Sequence, residues 1–495
     1  MTPEMAHGHR LVAAARAHVG ADIGTAEADS VAALAILFRA LEDALAAQDL
    51  AALKRLLLLL STAVVGQLPT HAELVEREVL LRVGGVTTLH EHLVLALAEA
   101  TQDGRGVPLE YAGGVLVDVS LTVRSRAFAG VPRVVRNLAR CWERDYGAVL
   151  VAWDRGVFRT LTAEERGRAG LPPGVEESPR CLIPWNATFV VTEVLRPEEH
   201  ALAVGCLAKS GVAEVVGIAY DLAALTEPAS TRDSAQGLFI HYLDALSAAS
   251  RLSAISSAVG ADFASYDAIF GRLDRPVPAV RTHQLPTDAL QPSPADGERA
   301  ARLTQGWGPI PFVLCVSSLQ PRKNHLRTLA AAEQLWASGL AFQLVFVEGT
   351  HQSWTSFEEL RQRLSRQGRP LRVLSEISDE ELFSLYRSAR FTVCVSLTEG
   401  FGLPIAESLA AGTPAVVTRY GATAEIAAAG GAVLVDPTDV DAIAAAFREL
   451  LVDDAFHADL SAAAARRTWP SWDQHSRAVW SWLVDGVDTE QHGGS

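Results

Sequence analysis

Two carboxylates stand eight positions apart in Thr398-Glu399-Gly400-Phe401-Gly402-Leu403-Pro404-Ile405-Ala406-Glu407, and Gly412-Thr413-Pro414 follows just after. The apolar run from Phe391 to Leu397 reads as a buried strand. Pro404 suits the first position of a helix, where a missing N–H costs nothing, and Gly412 suits the position past its end. The segment is therefore strand, glycine loop, helix. Glu399 falls in the loop at the strand's C-terminal end and Glu407 falls one turn into the helix, so both can face one cleft. The loop N–H groups and the positive end of the helix can face an anion there. A carboxylate accepts hydrogen bonds from hydroxyls and donates none. The unit suits a ligand that carries hydroxyls and phosphates together, such as a nucleotide sugar.

A second constellation is cationic. Val316-Ser317-Ser318-Leu319-Gln320-Pro321-Arg322-Lys323-Asn324 follows another apolar strand, and its proline turn presents Arg322 and Lys323 at the strand's end. Two adjacent cations aimed into a cleft can neutralise a diphosphate leaving group, the arginine as a planar fork and the lysine as a compact charge. Other signals carry less. Asp439-Val440-Asp441 mimics a metal-binding pair, but Thr438 or Asp439 is better read as the cap of the helix that follows. His90 and His92 point about 200° apart on a helix and make no ligand pair. No metal site is expected.

These residues need elements to hold them. The chain has 495 residues, enough for two or three domains, and is 49% hydrophobic. Its net charge of −15 argues against nucleic acid as a partner. Cys141, Cys181, Cys206, Cys315 and Cys394 are scattered in apolar contexts and read as core residues in a reducing compartment. The start is polar and carries histidines, so no cleavable signal is expected. The most apolar run, Leu56 to Val65, is too short for a bilayer, which needs about 20 apolar residues. A cytoplasmic protein is the default, with peripheral contact to membrane-borne acceptors left open.

Residues 1–110 read as an all-helical accessory domain for docking or oligomerisation, with Leu34, Leu37, Phe38, Leu41 and Leu45 at helical spacing and a break at Gly84-Gly85-Val86. From Gly113 short apolar strands alternate with helical segments, which predicts parallel sheets covered on both faces. The alternation pauses in a polar, proline-rich segment at 285–298 and then restarts. The expected fold class is α/β: two doubly wound Rossmann-like domains, at 111–295 and 296–468, with the cleft at the strands' C-terminal ends. Residues 469–495 read as a terminal helix and tail.

The glutamate and Pro-Arg-Lys-Asn motifs resemble those of the retaining glycosyltransferases of the two-domain GT-B fold, family 4. The resemblance covers roughly residues 112–485. Gly349-Thr350-His351-Gln352-Ser353-Trp354, with Leu335-Trp336-Ala337-Ser338-Gly339 upstream, looks like bacterial polysaccharide mannosyl- and rhamnosyltransferases in particular. It implies that Arg322, Lys323 and Glu399 are catalytic. It implies that Gly130, Val131, Ile377, Gly400, Phe401, Gly402, Leu403 and Glu407 bind the donor, with Glu407 on the ribose. Gly130-Val131-Pro132-Arg133-Val134 resembles the family's Gly-Ile-x-Arg-Val loop, where glycine backbone approaches the donor phosphates. Tyr220, Asp221 and Ser256 are candidates on the acceptor side; Tyr220 stands where many relatives have a histidine, and Ser317 where they have a glycine. The terminal helix would cross back to the first domain. The implied activity is retaining, metal-independent transfer of a hexose from a nucleotide sugar, GDP-linked and mannose-like in preference, to a glycan, lipid-linked or protein hydroxyl. No cofactor is expected, since the nucleotide sugar is the substrate. Two other readings fit: a non-catalytic protein that senses a sugar nucleotide or binds a partner, and a GT-B sugar-nucleotide epimerase.

Overall fold

The computed structural model describes residues 3–19, 30–101, 108–125, 130–172, 178–226, 233–271, 277–287, 295–348, 354–375 and 377–487. Four helices come first: Pro3–Val19, Ser30–Ala46, Leu50–Val65 and His71–Thr101. Leu50–Val65 is capped by Asp49, which accepts from the Ala52 N–H, and is closed by Gly66 in the left-handed region. It is apolar nearly all round and is the core of the group. Gly85, at φ 69° and ψ −171°, kinks His71–Thr101 where the glycine pair predicts a break.

These helices share one hydrophobic core with the sheet that follows. Arg55 ties them down, donating to the Gly211 carbonyl and to Asn186 while lying 4.5 Å over the Trp185 ring. The Trp185 indole donates to Ala17 O at 3.1 Å, and the hydroxyls of Thr62 and Tyr111 meet at 2.8 Å. Among the described residues, no helix is long and apolar enough to cross a membrane.

The first sheet has seven strands: β1 Leu109–Asp118, β2 Val149–Asp154, β3 Val157–Thr160, β4 Cys181–Val191, β5 Ala213–Ala219, β6 Arg251–Ala254 and β7 Ala279–Thr282. All neighbours are parallel except β3, which pairs antiparallel with both β2 and β4. Neither β3, Val157-Phe158-Arg159-Thr160, nor β7, Ala279-Val280-Arg281-Thr282, is a continuous apolar run in the sequence. Its parallel order, β2-β1-β4-β5-β6-β7, reverses between β1 and β4.

The second sheet has six parallel strands: β8 Phe312–Val316, β9 Gln343–Glu348, β10 Leu371–Ser375, β11 Phe391–Cys394, β12 Ala415–Thr418 and β13 Ala432–Val435. Their order is β10-β9-β8-β11-β12-β13. This is the doubly wound arrangement, with its switch point between β8 and β11. Asp439 caps the Val440–Val452 helix through the Asp441 and Ala442 N–H groups. The terminal helix Trp472–Trp480 packs on the first sheet's domain: the Trp142 indole donates to Ser476 O, and Trp480 stacks on Tyr146 at 4.1 Å.

Candidate functional site

At a switch point, loops from adjacent strands diverge and leave a crevice at the strands' C-terminal ends. In the second sheet those loops follow β8 and β11, and they carry the two motifs. The β8 loop winds one 3-10 turn, Pro321–Lys323, closed by Asn324 at φ 62°. Asn324 fastens it to its neighbour by donating to Val395 O at 2.9 Å and Pro437 O at 2.7 Å. The Leu397 N–H donates to Arg322 O at 2.8 Å. Lys323 Nζ thereby reaches Glu399 Oε1 at 2.5 Å, and Arg322 Nη1 lies 3.7 Å from Oε2. Ser396 donates to the same carboxylate at 2.7 Å. Burial works to raise the Glu399 pKa, but Lys323 and Arg322 outweigh it and hold the group below its ordinary range.

Ser317 does not face this carboxylate. Its hydroxyl pairs with His325 Nε2 at 2.8 Å. His325 is fully buried, and burial followed by the nearby Lys323 pushes its pKa down to about 4, so the ring is neutral at pH 7.

Glu407 sits on the Leu403–Ala410 helix, which follows Gly402 at φ 107° and carries Pro404 in its first turn. The Glu407 carboxylate is buried. Oε2 accepts from the Tyr386 hydroxyl at 2.9 Å, and Oε1 pairs with Arg133 Nη1. Arg133 belongs to the other sheet's domain, in the first turn of the helix Val131–Tyr146. Here burial prevails over Arg133 and Tyr386, and the Glu407 pKa lies above its ordinary value.

Three further contacts complete the seam. Ser256 Oγ donates to Gly400 O at 2.7 Å. A methyl group added to Gly400 would lie 2.9 Å from Asp221 Oδ2 and 3.3 Å from Ile255 Cδ1, so a larger residue would have to push these side chains of the opposite wall aside. Glu425 accepts from the Ser257 and Ala258 N–H groups at the start of the helix Ser257–Gly271.

Gly130 opens the helix that carries Arg133, with φ 70° and ψ −142°. Among the described residues, and apart from its chain neighbours, no atom lies within 4 Å of where its Cβ would be. Val131 packs partly into the core behind it. Phe401 is buried, Leu403 is half-buried, and among the described residues the N–H groups of Gly400 to Leu403 meet no protein acceptor. Ile377 is half-buried just before the Ser378 cap of the helix Asp379–Ser388. Tyr220 turns inward: it is buried, and its hydroxyl donates to Thr192 O at 2.8 Å. Of that pair, Asp221 is the residue that reaches the seam.

The motif reading of the sequence missed Arg133 and Tyr386. Arg133 has a signal, being the arginine three positions after Gly130, but the loop reading rests on Gly130 and Val131 alone. Tyr386 had none, since its role depends on a helix packed from elsewhere. The arrangement presents two carboxylates that can accept from hydroxyls, three cations that can meet phosphate, and unpaired backbone donors between them.

Residues 308–467 match the family described as "Glycosyl transferases group 1". The chain is 27% identical over 328 residues to the serotype-specific mannosyltransferase WbdA of Escherichia coli, covering 63% of this chain and 40% of that protein. It is 35% identical over 147 residues to the O-antigen chain mannosyltransferase B of Escherichia coli, covering 29% of this chain and 38% of that protein. The chain thus spans about two fifths of the length of these curated relatives. Among solved structures, Anabaena HepE in complex with UDP and glucose superposes with a TM-score of 0.55 at 14% identity, over 74% of this chain and 98% of that one. That likeness shows the two-domain GT-B fold, and the group 1 match falls within the second domain.

Proposed function

We propose that this protein is a glycosyltransferase of the GT-B fold that moves a hexose from a nucleotide sugar to a hydroxyl acceptor in glycan assembly. The observation that carries the reading is the clustering at the β8/β11 switch point, where Lys323 and Arg322 meet Glu399 beside the glycine loop. Glu399 and the Gly400 to Leu403 N–H groups would hold the sugar hydroxyls and Glu407 the ribose. Lys323 and Arg322 would take up the charge of the departing diphosphate, which is why we read the transfer as metal-independent. Backbone at Gly130 would approach the phosphates from the first domain. The seam would exclude water, since transfer must outrun hydrolysis. We read the transfer as retaining, by same-face attack of the acceptor hydroxyl with the leaving phosphate as base. The mannosyltransferase relatives support a mannose-like sugar, and a GDP-linked donor follows from that preference.

The test is nucleoside diphosphate release from GDP-mannose, with UDP-glucose as comparison, in the presence and absence of oligosaccharide acceptors. The expected result is acceptor-dependent GDP release that exceeds UDP release, with the donor's anomeric configuration kept in the product. Release of neither diphosphate would overturn the proposal. An epimerised sugar released with no acceptor present would replace it.

A further inference from the structure

The carboxylate assigned to the ribose is already engaged on both oxygens, by Tyr386 and by Arg133. Tyr386 is fully buried on the same domain and can stay while a ligand binds. Arg133 comes from the opposite domain, so a ribose hydroxyl can reach Oε1 only by taking its place or sharing it. The displaced guanidinium cannot go far. It is held in the first turn of a helix whose preceding residue, Gly130, has open space before its backbone among the described residues. That space is where the donor phosphates belong on the proposed function, and a phosphate group is a partner of the same charge and geometry as a carboxylate for a guanidinium fork.

We propose that Arg133 is an exchangeable cation of the donor site, paired with Glu407 as the structure shows and passed to the donor diphosphate when ribose hydroxyls occupy Glu407. This rests on the proposed function and adds to it a first-domain residue that reads the diphosphate. The exchange links the two halves of a nucleotide. The ribose end frees the cation that the phosphate end needs, while Lys323 and Arg322 remain on the second-domain side. A nucleoside monophosphate gains less than a diphosphate, because it displaces Arg133 but offers it a shorter, less charged partner.

The test compares the full chain with Arg133→Ala and Arg133→Lys by titration calorimetry with GDP, GMP, UDP and UMP. Thermal unfolding confirms that each variant is folded. For whichever base the wild type prefers, Arg133→Ala should lose at least about tenfold in diphosphate affinity, while monophosphate affinity stays equal or rises. Arg133→Lys should recover part of the diphosphate preference through its charge. Parallel losses for both nucleotides in Arg133→Ala would show a merely structural residue and overturn the inference. Tighter diphosphate binding would also overturn it, by showing that Arg133 only blocks the site. If the wild type binds none of the four, the proposed function fails and takes this inference with it. If the wild type prefers diphosphates and Arg133→Ala keeps that preference undiminished, the inference alone fails.

Discussion

Glu399 and Glu407 are the same side chain eight residues apart, yet the protein treats them in opposite ways. Glu399 has its cations inside its own domain, delivered by the loop of the adjacent strand, and its pKa is held down. Glu407 is more deeply enclosed, depends on a cation from the other domain 274 positions away, and its pKa is pushed up. Desolvation acts on both in the same sense, so the difference lies in the neighbouring charges: two cations face Glu399, while Glu407 has one cation and the Asp379 carboxylate works against it. One region is preassembled by a single fold. The other is assembled only where two domains meet. Catalytic charge stabilisation gains most from the first kind of site, because preset groups need no reorganisation during reaction.

The largest expected effect falls on the preassembled side. Lys323→Ala should lower the initial rate of transfer by at least about tenfold, on the scale of losing one charge-stabilising donor. An unchanged rate would remove Lys323 from the reaction and blur the contrast. On the assembled side, Gly130→Ala should cost about 1–2 kcal/mol in urea unfolding, because an L-residue is strained at φ 70° although its methyl group meets no atom of the described residues beyond its chain neighbours. The same variant should weaken diphosphate binding while leaving the Lys323–Glu399 pair in place. A variant as stable as wild type would show that the helix start adapts.

The smallest effects are the most diagnostic of the comparison. A carboxylate with a depressed folded pKa adds stability above its unfolded value and loses it as pH falls through the folded pKa. Glu399→Gln should therefore be most destabilising near neutral pH and less so in acid. A carboxylate with a raised folded pKa adds stability that is full below its unfolded value and is lost as pH rises through the folded pKa. Glu407→Gln should therefore improve relative to wild type as pH rises from that of an ordinary carboxylate. Melting temperatures of both variants from pH 4 to 8 should differ from wild type with opposite slopes. Slopes of one sign would show that the two environments are alike.

The same contrast governs what the sequence made legible. The second domain could be read almost strand by strand, since buried parallel strands are short continuous apolar runs bounded by turn residues. Phe312–Val316 and Phe391–Cys394 announce themselves in this way, and so does the loop chemistry that follows them. In the first domain, β3 escaped because Val157–Thr160 is a four-residue return from a tight turn, with Arg155 and Gly156 both at positive φ. β7, Ala279-Val280-Arg281-Thr282, lacks an apolar run altogether. The four leading helices were legible as helices, but not that their core would be continuous with the first sheet. That depends on Arg55, Trp185 and Tyr111, each of which looks like an ordinary surface or strand residue until the partners are side by side. Arg133 and Tyr386 were hidden for the same reason. A motif exposes chemistry that is local in the chain, while a seam is made of residues hundreds of positions apart.

The central claim is that both glutamate sites serve one nucleotide-sugar ligand. The most direct measurement is a thermal-unfolding series of the full chain with GDP, UDP, ADP and their sugars. A ligand at 100 times its dissociation constant should add about 2.7 kcal/mol of stability. The account predicts a clear rise in melting temperature with one diphosphate family, reduced in both Lys323→Ala and Arg133→Ala. No rise with any of these ligands, or a rise that neither substitution diminishes, would contradict it.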